Sequence, residues 1–262
     1  MEGIKNMTAI RDKVFPFAFK PKQASRVQPS RNRTKSGEQS TIVKGSWRNL
    51  IKCYEMATPE QIIEGESFYE DARDYSKEIG ILAGYKYTHA VSIGAGIISV
   101  LSPRMDWDRN KEIAKQFILT GETKYQTQQN QTKAKDILSG KDPMDVMGRE
   151  SHKTKSFYQA ILNPHGNNEV WNLQGYGKKK TNLAVIDRHA GGAYAGKPLQ
   201  EYQRAQLSHW RVNKRISTSY FRGAKYTNRP VNIFQSIIWN VFRDNYKYMK
   251  PYPIRRKPTK HT

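Results

Sequence analysis

The sequence predicts a mostly α-helical domain in two lobes, flanked by basic tails, and three observations carry that prediction. From Ser46 onward the apolar residues recur at helical spacing rather than in alternation. Helix start signals mark the chain, clearest in Thr58-Pro59-Glu60-Gln61 and in Pro230 ahead of VNIFQSIIWNVF. Strand patterning is scant, and no internal repeat interrupts the helical pattern.

The elements follow in order. Residues 1–40 are rich in Lys, Arg, Pro, Gln and Ser, with too little apolar surface to bury, and are expected to form a flexible arm or one ordered by a partner. The helical domain is expected over 41–246. Thr58 caps its first clear helix, with Pro59 in the first turn and Gln61 at the capping-box position; Ile62, Ile63, Phe68, Tyr69, Tyr75 and Ile79 supply the buried face. Further helices are expected at about 87–101, 107–119, 131–139, 143–147, 152–162, 184–195, 199–211 and 230–246. The stretch HAVSIGAGIISVL, residues 89–101, falls short of the roughly 18 apolar residues of a membrane span. It reads as a buried helix in which Gly94 and Gly96 permit close approach of a neighbour. Asp106 caps the next helix. Gly148 ends a short one, and Ser151 caps its successor, whose apolar face is Phe157, Tyr158, Ile161 and Leu162. Residues 247–262 form a second basic tail.

Charge narrows the partner. The net charge is +22. Nine cations and two acids lie in residues 1–35, and six cations with no acid lie in 247–262, which leaves +9 on the body between them. A polyanion explains both arms and body, because Lys and Arg beside phosphates release condensed counterions. With the aromatic content, the charge makes a nucleic acid the expected partner rather than a membrane, and a solubilising surface with basic tails is the plainer alternative. A single cysteine, Cys53, excludes an internal disulfide and a four-cysteine metal or iron-sulfur site; no metal and no cofactor are expected. With no secretory signal apparent, the expected location is cytoplasmic, and the expected state monomeric.

Three stretches carry candidate chemistry. In SPRMDWDRN a core helix ends and the next restarts within a few residues, so Arg104 stands on a tight corner, either as a solvated corner residue or as a probe pressed into a partner. In MGRESHKTKSFYQAIL, residues 147–162, two short helices meet, presenting backbone amides with Lys153, Thr154 and Lys155 to one side; helix N-terminal amides bind phosphate, although an ordinary helical corner with a basic rim would look the same. In AVIDRHAGG, residues 184–192, Ala184, Val185 and Ile186 enter the core and place Asp187 near the start of a helix, where a plain N-cap is the simpler role; His189 reads as a core or helix-face histidine.

Taken together and in this order, the stretches resemble the helix-hairpin-helix DNA glycosylase superfamily, the endonuclease III-like group. VLSPRMDWDRNKEIA, residues 100–114, is similar to that family's L-S-x-Q motif and the capped helix after it, with Arg104 where the family often has a DNA-inserting Gln. QTKAKDIL, 131–138, looks like its next short helix. MGRESHKTK, 147–155, keeps the Lys-Thr pair of a hairpin normally written L-P-G-V-G-x-K-T-A, without its glycines. Ile186-Asp187-Arg188-His189 matches V-D-T-H. The resemblance spans roughly residues 85–195 and implies a helix-hairpin-helix fold with no iron-sulfur cluster.

It also implies a function: a DNA N-glycosylase acting on a base flipped out of a duplex. Asp187 would be the catalytic carboxylate, since loss of the base builds positive charge on the deoxyribose that a fixed carboxylate stabilises. Lys153 would be either the Schiff-base nucleophile of the strand-cleaving members or a phosphate contact. Arg104, Ser151, Thr154, Lys155, Lys178, Lys179, Lys180 and Arg188 would hold DNA, and Trp107, Tyr158, Trp171 and Tyr176 would pack against the base. Residues 163–183 lengthen the link between hairpin and aspartate beyond the family's usual span, which is compatible with a bulky modified base of the type some bacteriophages carry, in phage defence or phage-encoded base processing. The alternatives are a noncatalytic DNA-binding protein on the same fold and a DNA base-modifying enzyme.

Overall fold

Thr58 accepts a hydrogen bond from the Gln61 amide at 3.2 Å while the Gln61 side chain accepts one from the Thr58 amide at 3.1 Å. This reciprocal pair starts a helix of 24 residues, the longest among the described residues. The computed structural model describes residues 43–148, 151–165 and 184–245. These are mostly helical, with no strand among them. The arm at 1–40 and the tail at 247–262 lie outside the described residues.

Among the described residues, helix forms eleven α-helices and one 3-10 turn. In chain order these are α1 (Trp47–Tyr54), α2 (Pro59–Leu82), α3 (Tyr87–Leu101), α4 (Trp107–Thr120), α5 (Gln128–Leu138), α6 (Pro143–Met147), α7 (His152–Leu162), α8 (Arg188–Ala195), α9 (Glu201–Ala205), the 3-10 turn Gln206–Ser208, α10 (Trp210–Tyr226) and α11 (Val231–Asn245). The expected spans of α3, α6 and α7 coincide with those observed, and Asp106 caps α4 through the Arg109 amide at 2.9 Å. Three expectations need correction. The helix expected from residue 184 begins at Arg188, because residues 184–187 run extended into the core before Asp187 caps it. The helix expected to end at 211 is a short helix and a 3-10 turn, followed by the unforeseen 17-residue α10. Ile63, expected in the core, is 66% exposed.

Buried apolar side chains form two clusters. One joins α1, Ala184, Ile186, α8, α10 and α11 around Tyr220, Phe234 and Phe242, while Val185 between them faces the other. The other joins α2 to α7 around Ile97, Leu101, Ile113 and Phe117. Helix α2 packs along both α3 and α11 and so borders each cluster. Its crossing with α3 is close enough to require glycine: a Cβ on Gly94 would lie 1.8 Å from the Ser76 carbonyl oxygen, and one on Gly80 would lie 1.9 Å from that of Ala90. The expectation that Gly94 permits close approach therefore holds. Among the described residues no helix is long and apolar enough to cross a membrane.

Candidate active site

Asp187 is placed by its own backbone role. One carboxylate oxygen, Oδ1, accepts from the His189 and Ala190 amides at 2.9 and 2.8 Å, which makes Asp187 the N-cap of α8. The other, Oδ2, accepts from the Trp239 indole Nε1 of α11 at 3.0 Å. Helix α8 comes this near to α11 because Gly192 bears no side chain: a Cβ there would sit 2.5 Å from the Phe242 ring.

A cleft opens between the two apolar clusters, where α2, α4 and α7 meet α11. Asp187 and Lys153 both line it. One wall is aromatic: Phe68, Trp107 and Phe157 touch one another with ring centroids 5.4 to 6.5 Å apart. The facing wall is the polar stripe of α11, Gln235, Ser236, Trp239 and Asn240, joined by Asn110 of α4. Tyr69 of α2 also reaches the cleft, and its hydroxyl donates to Gln235 Oε1 at 2.7 Å.

The electrostatics centre on Asp187. Burial acts to raise its pKa, but the neighbouring His189 and Lys153, with the hydrogen bonds from Ala190 and Trp239, outweigh it and hold the carboxyl below the ordinary aspartate value. Burial lowers the Lys153 pKa, opposed by the Asp187 charge and reinforced by Arg188. Among the described residues no hydrogen-bond partner occupies the Lys153 ammonium. His189 is 7% exposed and packs edge-on against Trp239. Burial lowers its pKa, Asp187 opposes this, and Arg188, Lys153 and Arg243 add to it. Its Nε2 accepts from Arg188 Nε at 3.1 Å, so the neutral ring carries its proton on Nδ1, a buried atom with no partner.

The other sequence-predicted residues divide. Trp107 lines the cleft with Asp187 and Lys153. Arg104 is exposed, in the left-handed region at φ 67°, and is not among the cleft-lining residues, although its neighbours Ser102, Met105 and Asp106 are. The corner beneath it is braced by Gln126, whose Nε2 donates to the Leu101 and Pro103 carbonyls at 2.8 and 3.2 Å. Arg188 is half-buried, and Thr154 likewise. Ser151 gives α7 no side-chain cap, because its hydroxyl donates to the Met147 carbonyl instead. Lys155 is only 9% exposed and lies toward Asp145, Asp142 and Lys133 rather than toward the cleft. The reason is helical geometry: two residues apart on α7, Lys153 and Lys155 point to nearly opposite sides. Tyr158 is buried in the α2–α7 core, with its hydroxyl 2.7 Å from that of Ser92; its neighbour Phe157 lines the cleft in its place. Trp171, Tyr176, Lys178, Lys179 and Lys180 lie outside the described residues.

Sequence reasoning missed the contribution of α11. Its signal was present: Asn232, Gln235, Ser236, Trp239 and Asn240 recur at spacings of three and four along an otherwise apolar helix, a polar stripe that must face something. Phe68, Tyr69 and Asn110 gave no such signal, since they differ from ordinary core residues only by what folding brings opposite them.

Fold and site define a mostly helical protein with an acid and a lysine at the mouth of an aromatic cleft. The chain belongs to the family of unknown function DUF7178, whose model matches residues 31–246. No curated protein and no solved structure matches the sequence.

Proposed function

We propose that the protein is a DNA N-glycosylase on an endonuclease III-like, helix-hairpin-helix scaffold, which draws a damaged or modified base into the cleft and releases it. One observation carries this reading. Asp187, held ionised, shares an aromatic cleft with an amine whose protonated form is disfavoured by burial.

In this reading the extruded base packs against Phe68, Trp107 and Phe157, which offset the cost of unstacking. As the C1′–N bond breaks, its electron pair leaves with the base, and the carboxylate of Asp187 stabilises the cationic sugar. Either water or the neutral amine of Lys153 then forms the new bond to C1′. Water yields an abasic site. Lys153 yields an imine with the opened sugar, from which strand cleavage proceeds. Arg104, exposed on the corner that carries the cleft-lining Ser102, Met105 and Asp106, would fill the vacated position in the stack, and the net positive body would hold the backbone.

Asp187→Asn keeps one oxygen to accept from the His189 and Ala190 amides, and removes the charge together with the acceptor for the Trp239 indole. Base release from duplexes carrying modified bases, read by mass spectrometry, should fall at least about a hundredfold with DNA affinity retained. Unchanged release would end the proposal. Borohydride trapping separates the two nucleophiles: a covalent adduct that is lost in Lys153→Ala identifies the lysine.

A second reading is favoured by a specific observation. Both oxygens of Asp187 already have partners, so the residue explains itself as a cap and an interhelix tie. A noncatalytic DNA-binding protein would then retain the same fold, and no base would be released from any duplex. A base-modifying enzyme would instead leave an altered base in the strand.

A further inference from the structure

Four polar side chains of the cleft differ in how far their hydrogen-bonding capacity is used up inside the protein. Ser102 donates to the Ser99 carbonyl at 2.9 Å, and Ser236 donates to the carbonyls of Gly65 and Ile233, so neither hydroxyl proton is available to a ligand. Gln235 and Asn110 are different. The Tyr69 hydroxyl, itself 2% exposed, donates to Gln235 Oε1 and so turns the amide nitrogen away from Tyr69. Among the described residues that nitrogen has no acceptor. Asn110 is 2% exposed; its Nδ2 donates to the Ile98 carbonyl at 3.2 Å, and its Oδ1 is left without a partner. Among the described residues, Gln235 Nε2 and Asn110 Oδ1 are thus left over in the cleft, each amide held by a bond to the protein through its other atom.

A buried polar atom without a partner, such as Asn110 Oδ1, destabilises the empty protein and is tolerated where a ligand satisfies it. Resting on the reading of the cleft as a nucleobase pocket, we infer that Gln235 and Asn110 select the base. The ligand they fit is a neutral nucleobase presenting a hydrogen-bond acceptor to Gln235 and a donor to Asn110, with Tyr69 as the positioning residue that fixes the Gln235 amide. A site that only stacked its ligand against Phe68, Trp107 and Phe157 would need none of these groups and would tolerate any flat heterocycle. One that pairs polar edges rejects a base with the wrong edge strongly, because the mismatch leaves protein groups unsatisfied.

The test separates recognition from chemistry. Duplexes carrying a single 2′-fluoro nucleotide, which resists glycosidic cleavage, are prepared with each of the standard bases, uracil and a set of modified pyrimidines and purines opposite a mismatch. Affinity is read by fluorescence anisotropy. Wild type should prefer one edge pattern by on the order of tenfold or more. Gln235→Glu, which exchanges the free donor for an acceptor, should change which base is preferred, and Tyr69→Phe, which frees the Gln235 amide to turn, should flatten the preference. Should Gln235→Glu fail to fold, Gln235→Met must flatten the preference in its place. Base-independent binding by wild type, absence of binding, or an identical base order in all variants overturns the inference. A Gln235-dependent preference without release of any base from cleavable duplexes would leave the inference standing and remove the glycosylase reading instead.

Discussion

The Trp239 indole donates to Asp187 Oδ2 at 3.0 Å, and through that bond α11 fixes a carboxylate whose other oxygen caps α8. The tie spans 52 residues of sequence and sets the position of the acid on the cleft wall. Trp239→Phe retains the ring that packs on His189 but removes the donor. A hydrogen bond to an ionised group contributes about 1.5–3 kcal/mol, and denaturant unfolding should register a loss in that range. Because the same bond helps to hold the Asp187 pKa down, its removal should raise that pKa. The acid limb of any Asp187-dependent activity should move to higher pH, whereas an unmoved limb would separate the bond from the ionisation.

The capping role of Asp187 is separable from its charge. Asp187→Asn presents an oxygen to the His189 and Ala190 amides, as Asn caps about as well as Asp. Asp187→Ala presents none and should cost about 1 kcal/mol more through the cap alone. Thermal and denaturant unfolding of the two variants side by side checks this. Equal stabilities would mean that the two amide bonds contribute nothing to α8.

His189 gives the protein a defined sensitivity to acid. Burial holds its folded-state pKa below the ordinary imidazole value, so near pH 6.5 and below the unfolded chain binds more protons than the folded one. Stability therefore rises with pH through that window and falls on acidification. His189→Gln keeps an acceptor for Arg188 and removes the titration. Between about pH 7.5 and about pH 5.5 the wild-type melting temperature should drop further than that of the variant. A variant that drops equally would place the acid sensitivity in other groups.

These relationships also show what was readable in one dimension. Local chemistry announces itself: the Thr58 box, the Asp106 cap and the Gly148 stop lie within a few residues of what they act on, and α2 to α7 were legible for that reason. Helix α10 was not, because WRVNKRISTSYFRGAKY buries only a narrow stripe through Ile216, Tyr220 and Ala224, beside polar Asn213 and Ser217, and surrounds it with cations. The acid and the lysine of the site were found through their order along the chain. Their companions were not, since Phe68, Asn110 and Gln235 come from three helices far apart in sequence, and only tertiary packing makes them neighbours.

The α2–α3 crossing should be intolerant of any side chain at its two glycines. In Gly94→Ala the new Cβ would lie 1.8 Å from the Ser76 carbonyl oxygen, against backbone that cannot swing aside as a side chain can. Overpacking of this kind costs about 1–3 kcal/mol, and more where the obstacle is main chain. Gly140, with only the Tyr85 hydroxyl at 3.5 Å from a Cβ, separates clash from conformation: Gly140→Ala should suffer only from its φ of 93°. Unfolding midpoints for the two variants decide the matter, and a Gly94→Ala protein as stable as wild type would mean that the helices can move apart freely.

Arg104 holds a backbone conformation that a glycine would adopt more freely. Its φ of 67° is one that a residue with a Cβ adopts at a cost of about 1–2 kcal/mol, while glycine adopts it freely. The Gln126 bonds to Leu101 and Pro103 hold the corner in that conformation, so the strain persists in the folded protein. Arg104→Gly removes it but adds about 0.5–1 kcal/mol of chain entropy to the unfolded state, for a net stabilisation of about 1 kcal/mol or less. If the strained residue is retained because its guanidinium enters DNA, the same variant should bind a duplex containing an extrudable base on the order of tenfold more weakly. Arg104→Ala, which keeps the strain and loses the guanidinium, should share that binding defect without the gain in stability. A stabilised Arg104→Gly protein with undiminished DNA affinity would assign the conformation to the Ser102–Asp106 corner alone.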